Sequence, residues 1–333
     1  MKNRTVLVAG GAGYIGSHMM LALRDAGYPA VAFDNLSRGH ADAVFDAPLV
    51  VGDLRSTADL DACFKAHRID LVMHFAALAY VGESVSAPEE YYQNNVVGAL
   101  NLLQAMRKHG CELFVFSSTC STYGEPRQVP IPEDHPQAPI NPYGRSKLMI
   151  ERVLADYANA YGTRSVSLRY FNAAGCDPKA RVGERHDPET HLIPLVLAEA
   201  MRTKKGGDPS KTALRVFGGD FPTVDGSCVR DYIHVSYLCN AHLLAAERLL
   251  AGKVKGFEAY NLANGVGFSV LQVIEACRAV TGQPILYRME GRRAGDPANL
   301  VGECARAHSV LGWRPGHAEL RAIIGTVWNW MGA

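Results

Sequence analysis

Tyr143 and Lys147 form the pair of residues in this sequence that is best suited to acid–base chemistry. They are four positions apart at the predicted start of a helix, so the phenol and the ammonium lie on the same helix face. A free tyrosine has a pKa of about 10 and is a poor base at neutral pH, whereas an adjacent cation favours the phenolate. We therefore predict that Tyr143 is a general acid and base with Lys147 beside it.

Hydroxyl-bearing side chains precede this pair, and residues 117–122 read Ser-Ser-Thr-Cys-Ser-Thr at the end of a predicted strand. Thr119 is expected to hydrogen bond the hydroxyl that reacts. The Tyr-Lys spacing alone is weak evidence, because the chain contains 14 tyrosines and a lysine follows a tyrosine by four positions about one time in twenty. The pair follows a strand end, where open α/β sheets bind ligands. This position favours a catalytic role over the alternative that Tyr143 is a core residue and Lys147 a surface residue.

A cluster of glycines directly follows the first predicted strand and leads into a predicted helix. Glycine lets the backbone turn sharply and approach a pyrophosphate, whose charge then meets the free N–H groups at the helix start. We assign this turn to a dinucleotide cofactor, with Gly10, Gly13, Tyr14, Ile15 and Gly16 as binding residues.

Asp34 ends the second predicted strand, where a carboxylate accepts both ribose hydroxyls and repels a 2′-phosphate. The cofactor is therefore predicted to be NAD and not NADP, the alternative being that Asp34 is a turn residue before Asn35. Arg38 could hold a 2′-phosphate but is more often solvated in such a loop. Asp53 follows the third predicted strand and either reaches the adenine or caps the next helix.

Short β-branched segments alternate with longer amphipathic ones through the first half of the chain, which predicts a doubly wound, Rossmann-type α/β fold with a parallel sheet. The predicted strands are Thr5–Ala9, Ala30–Phe33, Pro48–Val51, Leu71–Phe75, Leu113–Ser117 and Ser165–Arg169. The predicted helices are Tyr14–Ala26, Thr57–His67, Pro88–His109 and Tyr143–Tyr161.

The alternation weakens near residue 175, where loops rich in Gly, Pro and Asp begin. We expect a nucleotide-binding domain at 1–175 and a smaller C-terminal substrate-binding domain at 176–333, interleaved with the first. The segments Tyr232–Val235 and Ala259–Leu262 have the pattern of strands. Part of 230–265 is therefore expected to complete the first domain.

The composition excludes several classes of function. Lys and Arg total 34 against 33 for Asp and Glu, so no global field would attract nucleic acid or an anionic membrane. The apolar run at 6–9 is too short for a signal peptide, and no stretch reaches the roughly 18 apolar residues of a membrane span. Eight scattered cysteines suit a reducing, cytoplasmic setting. No metal site is predicted.

Several further motifs accompany these residues in a fixed order along the chain. They are His74-Phe75-Ala76-Ala77, Val81-Gly82-Glu83-Ser84, Asn94-Asn95-Val96, Arg169-Tyr170-Phe171-Asn172, Val229-Arg230-Asp231-Tyr232-Ile233-His234-Val235 and Arg292-Arg293-Ala294-Gly295-Asp296. Together with the glycine turn and the Tyr-Lys pair, they show that the chain resembles the nucleotide-sugar epimerases of the extended short-chain dehydrogenase/reductase family. The resemblance covers almost the whole length.

This resemblance implies a 4-epimerase that interconverts UDP-glucose and UDP-galactose with tightly held NAD. A hydride leaves carbon 4 of the sugar while Tyr143 takes the hydroxyl proton, and the 4-keto sugar turns over before the hydride returns. The resemblance also implies that the cofactor contacts extend to the catalytic pair and to Leu54, Phe75, Ala76, Ala77, Asn95 and Tyr170.

The resemblance places the UDP anchor on Asn172, Arg230, Arg293 and Asp296, since two arginines suit a diphosphate and a carboxylate suits ribose hydroxyls. Further substrate contacts are implied for His191, Leu192, Arg215, Phe217, Tyr232 and Leu300, besides Thr119 and Tyr143. Helices 88–109 and 143–161 are expected to pack against a second copy as a homodimer.

Other readings stay open at this point. Leu300 is intermediate in size at a position that admits or rejects an N-acetyl group, so UDP-xylose/UDP-arabinose and N-acetylated pairs are alternatives. Related dehydratases and decarboxylases need acidic residues after the catalytic hydroxyl, where this chain has Cys120 and Ser121. A simple alcohol dehydrogenase would not use the arginine anchor. A non-catalytic NAD sensor is the most distant reading.

Overall fold

The computed structural model describes residues 3–293, 295–316 and 319–332. Ala294 of the motif at 292–296 lies outside these residues. The strands are β1 (Val6–Ala9), β2 (Ala30–Asp34), β3 (Leu49–Val51), β4 (Leu71–His74), β5 (Leu113–Thr119), β6 (Arg164–Tyr170), β7 (Asn172–Ala174), β8 (Arg215–Phe217), β9 (Val229–His234), β10 (Phe257–Leu262), β11 (Gly267–Ser269), β12 (Arg288–Glu290) and β13 (Asn299–Leu300).

Ten α-helices connect these strands within the described residues. They are α1 (Tyr14–Ala26), α2 (Thr57–Ala66), α3 (Val81–Ser86), α4 (Pro88–Tyr91), α5 (Gly98–Lys108), α6 (Pro142–Tyr161), α7 (Leu192–Lys204), α8 (Val235–Leu250), α9 (Val270–Thr281) and α10 (Leu320–Trp330). The predicted helix 88–109 is interrupted by a π-helical stretch, Tyr92–Val97, between α4 and α5. None of the helices in the described part of the chain is long and apolar enough to cross a membrane.

Seven parallel strands form the main sheet in the order β10-β6-β5-β4-β1-β2-β3, which confirms the doubly wound fold. The six strands predicted in the first half are all present, and β5 continues past its predicted end to Thr119. Parallel pairing brings the carboxyl ends of the strands to one edge of the sheet. This edge is where the predicted site residues meet.

Side chains that alternate along each strand form two cores on the two faces of the main sheet. Val6 and Val8 pack with α1 and α8 on one face, whereas Leu7 and Ala9 pack with α2, α5 and α6 on the other. Both faces are therefore covered, as the continuous apolar strands predict.

The second half of the chain returns to the main sheet through α8, which packs against α1, and through β10, which pairs with β6. The predicted strand at 232–235 is β9, and it lies in a smaller four-stranded sheet with β7, β11 and β13. Within 230–265, α8 and β10 therefore pack with the main sheet, whereas β9 pairs with the short strands β7, β11 and β13. The domain boundary at 175 stays a prediction.

Candidate active site

A cavity of about 790 Å³ lies along the carboxyl ends of the main strands and extends to the smaller sheets. Every predicted site residue except Asn95 lines it. The residues brought together are Gly10, Gly13, Tyr14, Ile15, Gly16, Asp34, Asn35, Asp53, Leu54, Phe75, Ala76, Ala77, Thr119, Tyr143, Lys147, Tyr170, Asn172, His191, Leu192, Arg215, Phe217, Arg230, Tyr232, Arg293, Asp296 and Leu300.

The glycine turn closes one end of this cavity. Gly10 has a φ of +82°, and a Cβ on it would lie 2.4 Å from the backbone nitrogen of Ala76. A Cβ on Gly16 would lie 1.9 Å from the Gly10 carbonyl oxygen. Helix α1 begins at Tyr14 with neither a side-chain cap nor an acidic residue in its described first turn. These features fit a pyrophosphate, which needs close backbone approach and free N–H groups.

Asp34 stands at the end of β2 with a side chain that is almost fully buried. Its two carboxylate oxygens accept hydrogen bonds from the Ala12 N–H at 3.0 Å and the Leu36 N–H at 2.8 Å. Each oxygen keeps further acceptor capacity, so the carboxylate can also accept from ribose hydroxyls. The backbone bonds hold Asp34 beside the glycine turn.

Asp53 faces Asn35, whose amide donates to its carboxylate over 3.1 Å. The Arg55 guanidinium also binds Asp53 at 2.6 Å and holds the pKa of that carboxyl well below its usual range. The cap of α2 is Ser56, which accepts from the Asp59 N–H. The capping alternative for Asp53 is therefore wrong, and its side chain borders the cavity instead.

Arg38 was expected to be solvated, and the structure places it in an ion pair. Its guanidinium contacts Glu83 at 2.6 Å and lies over the Tyr80 ring, 4.6 Å from the centroid. Glu83 belongs to the motif at 81–84, but its partner 45 positions earlier could not be read from sequence. The pairing occupies the arginine that could otherwise hold a 2′-phosphate.

The catalytic residues come from β5 and from the start of α6. Asn141 caps α6 by accepting from the Gly144 N–H at 2.8 Å, which fixes Tyr143 in the first turn. The Lys147 ammonium donates to the Ser117 carbonyl at 2.8 Å and lies 5.9 Å from the centre of the Tyr143 ring. Thr119, at the end of β5, hydrogen bonds with Tyr143.

Burial shifts the pKa values of both Tyr143 and Lys147. Burial raises the pKa of Tyr143 to about 12, and the hydrogen bond with Thr119 opposes that rise. Burial also lowers the pKa of Lys147 to about 7. Both shifts have the same cause, since each side chain is removed from water, and the predicted role of Tyr143 as a general acid and base stays a prediction.

A buried polar network supports β5 and α6 from behind. The Arg169 guanidinium binds the Glu151 carboxylate at 2.6 Å, and the Ser118 hydroxyl donates to the same carboxylate at 2.5 Å. The hydroxyls of Tyr170 and Ser117 also contact each other. Glu151 was not predicted from sequence, although Arg169 belongs to the motif at 169–172.

Two arginines and Asp296 converge at the other end of the cavity. Arg230 is buried and donates to the backbone oxygens of Val229 and Pro297, and its guanidinium lies 3.5 Å from Asp296. Arg293 lies 3.4 Å from the same carboxylate and has a side chain that is 60% exposed.

Aromatic and apolar residues complete this end. Arg293 and Arg215 both lie over the Phe217 ring, 4.4 and 5.4 Å from its centroid. Leu300 pairs in register with Arg230, and Asn172 pairs with Tyr232. Arg215, predicted as a substrate contact, lies over Phe217 and is a third cation at this end.

Asn95 does not line the cavity but fixes the loop after β4. Its amide oxygen accepts from the Leu78 N–H at 2.8 Å, and its amide nitrogen donates to the Leu78 carbonyl at 2.9 Å. Its amide nitrogen also lies 3.2 Å from the Ser146 hydroxyl on α6. Both amide atoms of Asn95 are bonded to the protein, and its contact with a cofactor stays a prediction.

His191 and Leu192 occupy a further wall, at the start of α7. His191 contacts Glu184 at 2.7 Å, and His186 lies beside it on the same wall. Glu184, His186 and Glu189 were not predicted from sequence. A run with the order Glu-x-His-x-x-Glu-x-His was the signal available for them.

Comparison with known proteins identifies the family of the chain. The model of the NAD dependent epimerase/dehydratase family matches residues 6–263. A UDP-glucose 4-epimerase of Halalkalibacterium halodurans is 50% identical over 98% of this chain and 95% of its own length.

Solved structures agree with the sequence relatives. A UDP-glucose 4-epimerase of Brucella ovis in complex with NAD is 46% identical, with a TM-score of 0.91 over 99% of this chain and 98% of its own. A Bifidobacterium longum enzyme of the same name, in complex with NAD+ and UDP, is 35% identical, with a TM-score of 0.91 over 98% of both chains. The resemblance seen in the motifs is therefore confirmed, and the chain belongs to the NAD dependent epimerase/dehydratase family.

Proposed function

We propose that this chain is a UDP-glucose 4-epimerase that interconverts UDP-glucose and UDP-galactose with bound NAD. The observation that carries the proposal is one cavity in which Tyr143 lies between a glycine turn and an arginine pair. The turn fits a dinucleotide, and the arginines fit a nucleoside diphosphate. Relatives of that name, 44–50% identical over nearly the whole chain, support it.

NAD supplies a hydride acceptor that returns the hydride to the sugar, and its oxidised ring adds a positive charge. The glycine turn would hold the pyrophosphate, and Asp34 would hold the adenosine ribose. Lys147, fixed by the Ser117 carbonyl, would lie at the nicotinamide end. The added positive charge would act against the high pKa that burial gives Tyr143.

Tyr143 would take the proton of the sugar 4-hydroxyl as the hydride leaves and return it when the hydride comes back. Thr119 would hydrogen bond the same hydroxyl and shorten the proton path. Arg230 and Arg293 would bind the diphosphate, while Asp296 would accept from the uridine ribose. Because these contacts end at the nucleotide, the 4-keto sugar stays free to turn over between the two hydride transfers.

Product analysis with several UDP-sugars tests the proposal. The purified protein is incubated with UDP-glucose, UDP-xylose and UDP-N-acetylglucosamine, and the products are resolved by chromatography. We expect the highest kcat/KM for the hexose pair, because the Leu300 side chain at the cavity wall leaves less room than a small residue for an N-acetyl group. A preference for either other pair would contradict the substrate assignment, and no conversion of any would contradict the activity.

Three further features belong to the proposal. Val97, Met149 and Tyr161 are exposed apolar residues on the helical segments 88–109 and 143–161, which supports a homodimer through these helices. Eight unpaired, buried cysteines support a reducing, cytoplasmic setting. The chain would divide near residue 175 into a cofactor-binding and a sugar-nucleotide-binding part.

Sedimentation analysis of the wild type and of Met149→Lys tests the dimer. The charge of the new lysine side chain should weaken the association of the two copies.

A further inference from the structure

Four side chains with metal-binding atoms converge on the segment between β7 and α7. They belong to Glu184, His186, Glu189 and His191, and their potential ligand atoms all lie within 4.8 Å of one another. The Glu184 side chain is only 2% exposed, and His186 is also largely buried. Two imidazoles and two carboxylates are thus held in one place beside the cavity.

The two imidazoles point at the same carboxylate oxygen. The Nδ1 atoms of His186 and His191 lie 3.1 and 2.7 Å from Oε1 of Glu184. The Glu189 carboxylate lies 3.7 and 3.3 Å from the same two nitrogens. The two Nδ1 atoms and the Glu184 Oε1 are buried and have no hydrogen bond of acceptable geometry. Three buried polar atoms therefore lie close together without a hydrogen bond that satisfies them.

Groups around the cluster hold the imidazoles in place. Tyr80 packs edge-on against both histidine rings, with centroids 6.1 and 6.0 Å away, and Tyr14 packs against His186 at 5.9 Å. The Tyr14 hydroxyl donates to the Gly175 carbonyl. Neighbouring cations are paired elsewhere, Arg185 with Asp42 and Arg38 with Glu83.

We propose that Glu184, His186, Glu189 and His191 bind a divalent transition-metal ion, for which zinc is the best chemical match. Zinc accepts imidazole nitrogen and carboxylate oxygen in tetrahedral sites. Magnesium and calcium prefer oxygen ligands alone, so two histidines disfavour them. Bonds of about 2.0–2.2 Å in a tetrahedral site place the ligand atoms about 3.3–3.6 Å apart. The observed separations bracket that range.

The ion would cross-link the segment 184–191, which leads directly into α7. His186, His191 and Leu192 line the cavity, so the ion would fix one of its walls through the ligands themselves. This role is structural and goes beyond the proposed epimerase activity, none of whose steps uses the metal. If the protein epimerises without binding zinc, only the metal proposal fails. If it binds zinc without epimerase activity, only the proposed function fails.

Metal titration of the full-length protein tests the site. Protein dialysed against a chelator and then freed of it is titrated with Zn²⁺ in competition with a chromogenic chelator. We expect one zinc per chain. X-ray absorption at the zinc edge should show nitrogen and oxygen ligands only. Substoichiometric binding, or sulfur ligation by any of the buried cysteines, would overturn the proposal.

Variants locate the site within the chain. Glu184→Gln and His186→Ala should each weaken zinc binding at least about tenfold, because each removes a ligand. His109→Ala is the matched control, since the His109 ring also contacts a carboxylate, that of Asp61 at 2.8 Å, but outside the cluster. Circular dichroism checks that each variant folds. Unchanged zinc affinity in a folded ligand variant would overturn the assignment, and the wild-type titration decides the matter if neither variant folds.

Discussion

The two ends of the cavity differ in how their binding groups are held. One end is formed by the glycine turn and Asp34, and we call it the nucleotide end. A Cβ on Gly10 or Gly16 would lie under 3.0 Å from backbone atoms there, and Asp34 is bonded to two backbone N–H groups. At the sugar-nucleotide end, Arg230 and Arg293 contact Asp296 only at 3.5 and 3.4 Å.

This difference indicates two kinds of binding. The nucleotide end is built by backbone packing and is formed before its ligand arrives. At the other end, Arg230 is also bonded to two backbone oxygens, but Arg293 is 60% exposed and, within the described part of the chain, ion-paired only with the Asp296 carboxylate, so a diphosphate can compete for it. We therefore expect substitutions at the first end to affect cofactor retention and folding, and substitutions at the second to affect KM.

The largest expected effect lies between the two ends, at Tyr143. Tyr143→Phe should lower kcat about a thousandfold, within the usual range for loss of a general acid–base group. Cofactor content and UDP affinity should stay unchanged, because neither end of the cavity is altered. Turnover and bound nicotinamide are measured together, with Tyr157→Phe on the same helix as the control. Wild-type turnover in Tyr143→Phe would rule out its proposed role.

A methyl group in the glycine turn should break the nucleotide end. Gly16→Ala places a Cβ 1.9 Å from the Gly10 carbonyl oxygen, so the turn must shift at a cost of about 3 kcal/mol in the free energy of unfolding. We expect loss of bound NAD, measured after gel filtration, and easier unfolding in urea.

Gly325→Ala provides the control for this substitution. Gly325 lies inside α10, and nothing lies within 4 Å of an added Cβ. The Gly325→Ala variant should therefore unfold no more easily than the wild type. Retention of NAD by Gly16→Ala at the wild-type level would contradict a rigid turn.

Removal of the Arg293 side chain should affect only the sugar-nucleotide end of the cavity. Arg293→Ala should raise the KM for UDP-glucose about tenfold or more, since a charge-assisted hydrogen bond contributes about 1.5–3 kcal/mol. NAD content and unfolding should not change, because the side chain is 60% exposed. Arg293→Lys, which keeps the charge but not the forked donors, should fall between. A lower kcat at unchanged KM would contradict a role in anchoring.

The smallest expected effect is a pH dependence of stability. Burial lowers the pKa of Lys147 to about 7 from its ordinary 10.5. Between these values the unfolded chain holds a proton that the folded chain has lost, so the free energy of unfolding rises with pH. Relative to Lys147→Met, cofactor-free wild type should gain up to about 1.4 kcal/mol per pH unit above pH 7. A constant difference from pH 7 to 9 in urea unfolding would contradict the buried lysine.

Sequence predicted well what depends on local pattern. The turn at Gly10–Gly16, the strands around it and the Tyr143–Lys147 pair all follow from spacing within one or two neighbouring elements. It failed where distant residues meet. The ion pairs Arg38–Glu83 and Arg169–Glu151 join separate elements, and no periodicity marks them. The burial that raises the pKa of Tyr143 could not be predicted either, because depth below the surface is a property of the fold.

Helix α6 carries Tyr143 and Lys147 in its opening turns and, farther along, Glu151, which grips Arg169 of β6. A slide or rotation of this helix would misplace the proton-transferring groups and pull a carboxylate from its only described guanidinium partner. The position of α6 therefore affects both the stability of the protein and its turnover. We therefore expect turnover to persist on mild heating until the main sheet unfolds.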